Sequence, residues 1–249
     1  MDRHAFQAVF GTQGTTVLPV IHVLDAEQAA RNIRIAQDGG CPGVFLINHD
    51  FEKEKLLPII REMRQMFPNF WIGVNFLAVT GRFAFPILGQ LQDEGIRVDG
   101  YWADDARIDE RRAADDQPEA QAIEQARRDS GWNGLYIGGT AFKKQREVAP
   151  EFYATSAQIA CGFMDVVVTS GVATGQAADL SKIRTFRESC GNTALGVASG
   201  ITPENANQFM SGVDLFMVAT GINHEGDFYN IDPARLQDLM NITRKAGAK

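Results

Sequence analysis

The stretch "MDVVVTSGVATGQAADLSKIRTFRESCGNTALGVASG", residues 164–200, decides how the fold is read. Two short apolar, β-branched runs, MDVVVTSG and ALGVASG, flank an amphipathic segment, DLSKIRTFRESCG. A strand, a helix and a second strand follow from that order. The strand runs are continuously apolar and do not alternate. That suits parallel strands with helices packed over them. The same unit recurs outward along the chain. TVLPVIHVL, GVFLIN, FWIGVNFLA, IRVDGYW, GLYIGG and VDLFMVATG read as further strands. DAEQAARNIRIAQDGG, FEKEKLLPIIREMRQMF and QAIEQARRDSG read as helices between them. In KLLPIIREMRQMF the apolar positions recur at three and four, as one buried helix face requires, although Pro58 interrupts the run and predicts a kink or a late start. Gly39-Gly40, Gly95, Gly131 and Gly191 fall where helices should end.

Eight strand–helix units in 249 residues match the α/β class, a single-domain (β/α)8 TIM barrel with parallel strands. A doubly wound open sheet is the rival arrangement. With no linker and no break in composition, residues 1–249 read as one domain. Residues 103–120, ADDARIDERRAADDQPEA, stand out as a long, highly charged insert after the fourth strand. They read either as a solvated loop with a short helix or as a lid over the barrel mouth.

Bulk properties narrow the function. Apolar residues make up 45% of the chain, enough for a sizeable core, and the net charge is -7. An acidic chain is a poor partner for a phosphate backbone, so nucleic acid is not expected as the ligand. A small phosphorylated ligand needs only local donors and stays open. The cysteines, Cys41, Cys161 and Cys190, are far apart along the chain and form no CxxC. With no signal-like N-terminus and no long apolar run, this composition leads to the expectation of a reduced, cytoplasmic protein that does not span a membrane. Association with further copies of the chain, as a homo-oligomer, stays open. No HxH, HExxH, GxSxG, P-loop or GxGxxG occurs. No metal site and no cofactor are therefore expected.

In a barrel of this kind the site lies at the C-terminal ends of the strands. The polar residues expected there are His22 and Asp25, Asn48 with His49 and Asp50, Asn75, Asp99 with Trp102 and Asp104, Lys143, and Thr169 to Gly171. VASGITPEN places Ser199 and Gly200 before Thr202, a candidate N-cap with Pro203 at the first helical position, and MVATGI ends in Thr220-Gly221. Glycine admits close approach of a ligand, and free N–H groups at helix starts bind anions. Ser199, Gly200, Thr220 and Gly221, with Gly171 on the neighbouring loop, are the predicted phosphate binders; tight turns are the competing reading. His22 and Asp99 are candidates for proton transfer. Each has a plainer alternative, an interior hydrogen-bonded imidazole and a carboxylate that holds backbone N–H groups or an arginine. Asn48 and Asn75 would orient substrate. Lys143 would neutralise an anion or belong to a solvated charged turn.

The C-terminal third resembles the BtpA family. GVASGITPENANQF is similar to that family's Gly-Ser-Gly-x-Thr-x-Glu-Asn pattern, VVVTSGVATG to its Val-Thr-Gly-x-x-Thr-Gly loop, and Ile231-Asp232-Pro233-Ala234-Arg235 to its Val-Asp-x-x-Arg helix start. PVIHVL and IGVNFL look like its first and third strands. LINHD lacks the family's glutamate after strand two, and in GGTAFKKQ Lys143 stands where the family has Lys-His but no histidine follows. The resemblance implies a phosphate-binding barrel related to phosphoribosylanthranilate isomerase, indole-glycerol-phosphate synthase and tryptophan synthase α subunits. The family's named member is linked to photosystem I biogenesis. Two functions follow as expectations. One is an enzyme of isomerase, lyase or glycosyl-transfer type acting on a sugar phosphate or phosphoribosyl compound. The other is a non-catalytic binding or assembly factor that keeps the phosphate pocket.

Overall fold

The structure is a computed structural model that describes residues 1–143 and 145–247. Eight strands close into one all-parallel barrel in chain order, β1 to β8, with β1 paired to β8. They are β1 Thr16–His22, β2 Gly43–Ile47, β3 Trp71–Asn75, β4 Gly100–Ala103, β5 Leu135–Gly139, β6 Val166–Ser170, β7 Leu195–Ala198 and β8 Leu215–Val218. The open-sheet alternative is excluded by that closure. Nearly every strand residue is buried, because one face meets the barrel interior and the other meets the helices. The helices are α1 Arg3–Phe10, α2 Ala26–Asp38, α3 Lys53–Met66, α4 Gly81–Asp93, α5 Pro118–Ser130, α6 Tyr153–Ala160, α7 Leu180–Cys190 and α8 Pro233–Gly247.

Two cores result. The larger lies between barrel and helices and includes Ile33, Leu56, Phe85, Tyr101 and Phe186. The smaller fills the barrel with Leu18, Val20, Phe45, Trp102, Val168 and Met217. Phe6 and Phe10 of α1 join the interior core and close its N-terminal end, with Phe10 edge-on to Trp71 at 5.2 Å. Asp2 caps this helix by accepting the Ala5 N–H at 2.8 Å.

Three sequence expectations change. The third helix runs unbroken through Pro58 from 53 to 66. No α-helix follows β7. Ser199 and Gly200 both take left-handed backbone, and the Asn205 side chain bonds to Thr202 N (2.9 Å) and Gly200 O (2.7 Å). That closes a turn at 200–205, followed by a 3-10 turn at Ala206–Gln208. Thr202 is therefore not a helix N-cap. Residues 103–117 hold no helix either. They form turns tied by Gln117, whose amide meets Asp109 and Ala113 backbone, and by the buried Glu110 carboxylate, which accepts two bonds from Arg146 at 2.5 and 2.8 Å.

The N-terminal face carries a recurring clamp. Asp99, Asp165 and Asp214 each stand one residue before an even-numbered strand. Each accepts the N–H of a residue at the start of the preceding strand: Ile72 at 2.8 Å, Tyr136 at 2.8 Å and Leu195 at 3.0 Å. Each also pairs with an arginine from the last turn of α3, α5 or α7: Arg64 at 2.5 Å, Arg127 at 2.6 Å and Arg187 at 3.0 Å. Those arginines reach further, to carbonyls of the turn after their own helix, such as Phe70, Gly134 and Thr193. Asp99 thus lies at the barrel end opposite the strand C-termini, and its expected role in proton transfer is overturned. The apolar run IRVDGYW is not one strand; β4 starts only at Gly100. Removing one partner of a buried, hydrogen-bonded ion pair typically costs about 3–5 kcal/mol. Asp214→Ala, at 1% exposure, is expected to lose about that much unfolding free energy in urea titration, with Asp99→Ala losing somewhat less. Losses under about 1 kcal/mol for both would show that the clamps do not hold the barrel.

Candidate functional site

The loops after the strands gather the polar residues, and they hold the strained backbone as well. Among the described residues, the non-glycine positions at positive φ are Ala78, Arg107, Ala141 and Ser199. All four lie in loops that follow strands, after β3, β4, β5 and β7. Such conformations cost free energy and collect at functional sites when the surroundings enforce them. At Ala141 the enforcement is visible. Its carbonyl accepts bonds from Thr169 Oγ1 at 3.2 Å and from Lys182 Nζ at 2.6 Å. Lys182 also donates to Ser170 O at 2.9 Å, and burial pulls its pKa down to about 8. Sequence reasoning missed Lys182. A cation in the first turn of a helix is at the wrong end of the dipole, which is the one sequence signal that its charge serves the barrel mouth instead.

Lys143 is the residue this scaffolding positions. Its N–H donates to Ser170 Oγ at 2.8 Å, and that hydroxyl donates to Gly171 O at 2.8 Å. Its ammonium reaches across to Ser199 Oγ at 2.5 Å. Lys143 therefore links the loop after β5 to the end of β6 through its backbone and to the loop after β7 through its ammonium. Lys143 also lines a cleft of about 350 Å³ with Leu77, Thr80, Asp104, Asp105 and Arg107. Behind it, Asn75 donates from Nδ2 to Asp104 Oδ1 at 3.2 Å. Asn75 is 1% exposed, and its Oδ1 has no hydrogen-bond partner in the structure.

The expected phosphate loops are close neighbours, and their glycines pack tightly against one another's backbones. A Cβ on Gly200 would collide with the backbone of Gln176 and Ala177 in the loop after β6, and one on Gly221 with the carbonyl of Ile201. The glycines let the three loops nest against one another. With no helix start behind Ser199, the helix-dipole part of the expectation is gone. Thr220 and Arg235 line a second cleft, about 620 Å³, with Asn223 and Phe228, and Arg235 Nε donates to Gly221 O at 3.1 Å.

His22 ends β1 but is covered. The loop after β8 lays Phe228 on the imidazole, ring centroids 3.9 Å apart. Nδ1 lies 3.2 Å from the Phe228 carbonyl, which only accepts, so Nδ1 carries the proton. Two side-chain amides, from Gln28 and Asn32, donate to Tyr229 O at 2.8 Å, and Tyr229 donates to Asp50 Oδ2 at 2.7 Å, fastening the loop. Burial, aided by His49, drags the His22 pKa from 6.5 to about 4. A neutral, shielded imidazole is a wall of the site. Asn48 is tied into the loops: it donates to Phe51 O at 2.7 Å and accepts Leu77 N–H at 3.1 Å. Among the described residues, no cluster of three or more His, Cys, Asp or Glu side chains could hold a metal ion, and no helix is long and apolar enough to cross a membrane.

The match to a known family falls on the C-terminal part of the barrel, β6 to β8, which holds these nested loops. Residues 144–245 match the BtpA family. The BtpA-family segment begins beside Lys143 and ends in α8, so it contains Ser199, Gly200, Thr220, Gly221 and Arg235. No curated protein matches the chain. Among solved structures, tryptophan synthase alpha chain from Legionella pneumophila subsp. pneumophila is similar over the whole of both chains, at 16% identity and a TM-score of 0.63. Phosphoribosyl anthranilate isomerase from Thermus thermophilus is similar over 94% of this chain and 100% of that one, at 14% identity and a TM-score of 0.60. A native KDPGal structure is similar over 93% and 95%, at 12% identity and a TM-score of 0.61. At such identities the likeness is one of fold.

The His22 environment has a pH signature. Between pH 6.5 and 4 the unfolded chain binds the proton that the folded imidazole refuses, so the stability tied to neutral His22 is complete above pH 6.5 and is lost as pH falls towards 4. Across that window the difference in unfolding free energy between wild type and His22→Asn is expected to change by roughly 3 kcal/mol. Parallel pH profiles for the two proteins would refute the assignment.

Proposed function

We propose that this barrel binds a phosphorylated small molecule, a sugar phosphate or phosphoribosyl compound, with its phosphate between Lys143 and the Ser199–Gly200 turn. One contact carries the reading: Lys143 Nζ against Ser199 Oγ, a cation and a hydroxyl brought together across two loops at the strand C-termini. A phosphate oxygen bridging these groups would gain charge-assisted hydrogen bonds. Thr220 and Gly221 flank the position from the next loop, and Arg235 lies behind it. The rest of the ligand would extend into the cleft lined by Asp104 and Arg107.

The same geometry supports an enzyme of isomerase, lyase or glycosyl-transfer type. Asp104 replaces Asp99 as the carboxylate for proton transfer. Asn75 donates to Asp104 and presents a buried, unpaired Oδ1 to the same region. That pair can orient a substrate hydroxyl and exchange its proton, as general acid–base chemistry needs. His22 is assigned no proton step.

Calorimetry with phosphorylated pentoses and hexoses, their unphosphorylated parents and inorganic phosphate tests the anchor. The esters should bind at least about tenfold tighter than the parents, and Lys143→Met should weaken them by about 10- to 100-fold, the range of one charged hydrogen bond. Equal affinity for ester and parent would overturn the proposal. If the esters bind but none turns over, and Asp104→Asn leaves binding unchanged, the barrel is a binding protein that kept the pocket.

A further inference from the structure

The barrel's N-terminal face holds a feature that the ligand site does not use. Cys161 and Cys190 are 29 positions apart in sequence. Cys161 caps α6, Cys190 ends α7, and the two helices lie side by side. Both sulfurs converge on one carbonyl: Cys161 Sγ is 3.2 Å from Ala157 O and Cys190 Sγ is 4.0 Å from it. The two thiols are thus neighbours on adjacent helices, and both are reduced. The pair is asymmetric in access. Cys190 is buried, whereas Cys161 is half-exposed.

We propose that Cys161 and Cys190 form a peroxide-reactive thiol pair, with Cys161 as the attacking sulfur and Cys190 as the resolving one. The surroundings favour this division. The neighbouring Cys190 thiol, Thr193 and the charge of Arg187 pull the Cys161 thiol below its ordinary range. The neighbouring Cys161 sulfur, together with burial, pushes Cys190 up. An accessible thiolate beside a second thiol is the arrangement that peroxide oxidises and a disulfide then resolves. Cys161 thiolate attacks hydrogen peroxide; an S–O bond forms, the O–O bond breaks, and hydroxide leaves to become water. Cys190 sulfur then attacks Cys161 sulfur; the S–S bond forms, the S–O bond breaks, and the departing hydroxide takes the Cys190 proton as a second water. Two electrons pass from the sulfurs to one peroxide.

Cys41 supplies an internal control. It is buried against Met240 Sδ at 3.7 Å, and burial pushes its thiol up to about 12. Treatment of the intact protein with stoichiometric hydrogen peroxide is expected to remove two of the three titratable thiols, lower the mass by two hydrogens and link the peptides carrying Cys161 and Cys190. Thioredoxin or dithiothreitol should restore both. In Cys190→Ser, the sulfenic acid should persist on Cys161 and be trapped by dimedone. In Cys161→Ser, loss of the Cys190 thiol should slow by about tenfold or more. The proposal fails if all three thiols survive, if the link involves Cys41, or if wild-type Cys161 goes to sulfinic acid without a link. It also fails if Cys161 in the Cys190→Ser variant takes no dimedone.

Discussion

The barrel depends on an arginine-paired carboxylate repeated at three strand seams, fully buried at Asp214 and partly exposed at Asp99 and Asp165. Asp99, Asp165 and Asp214 each accept a backbone N–H from the neighbouring strand and an arginine from a helix's last turn. A strand that starts at the barrel floor leaves N–H groups that the ladder cannot pair, and burying them unpaired is costly. One carboxylate serves such a group while the arginine neutralises it. The arginine in turn serves carbonyls of the turn below its helix. Helix, turn and two strands become one unit, and three of these units account for β3 to β8. The remaining pair of strands, β1 and β2, has no such aspartate. There α1 takes over, sealing the floor with Phe6 and Phe10 and sending Arg3 to Asp214 at 2.6 Å.

A rigid floor permits strain above it. The four non-glycine residues at positive φ lie at the opposite end, where Lys182, Ser170 and Thr169 tie the loops by hydrogen bonds. Lys143 is the product of that network: its backbone is held by Ser170 and its ammonium rests on Ser199. The glycines after β6, β7 and β8 belong to the same arrangement, since they allow three loops to pack backbone against backbone. The face is thus preorganised by polar contacts, which suits a polar, charged ligand better than an apolar one.

The sequence read well wherever local pattern and burial agree. Each of the eight strands overlaps an apolar run, and the four named helices lie where periodicity and glycine stops put them, because a strand covered on both faces must be apolar throughout. It read poorly wherever one residue type has two uses. Asp99 looked like a strand end because the apolar run continues through Ile96 and Val98, yet those side chains pack beneath the barrel before β4 begins. Ser199-Gly200-Ile201-Thr202-Pro203 carries every sign of a helix start, but the Asn205 side chain captures the turn first. His22 was rightly placed at a strand end, and its shielding by Phe228 comes from a loop over 200 residues away.

Composition and periodicity determined the class of fold, the strand order along the chain and the face on which polar residues collect, since these follow from nearest-neighbour spacing and burial. Only the tertiary structure decided which polar groups meet. It moved Asp99 to the floor, set Lys143 on Ser199, joined Asn75 to Asp104 and paired Cys161 with Cys190. Those pairings are made between elements brought together by barrel closure, and a closed barrel's geometry is set by all eight strands at once. No local stretch of sequence contains that information.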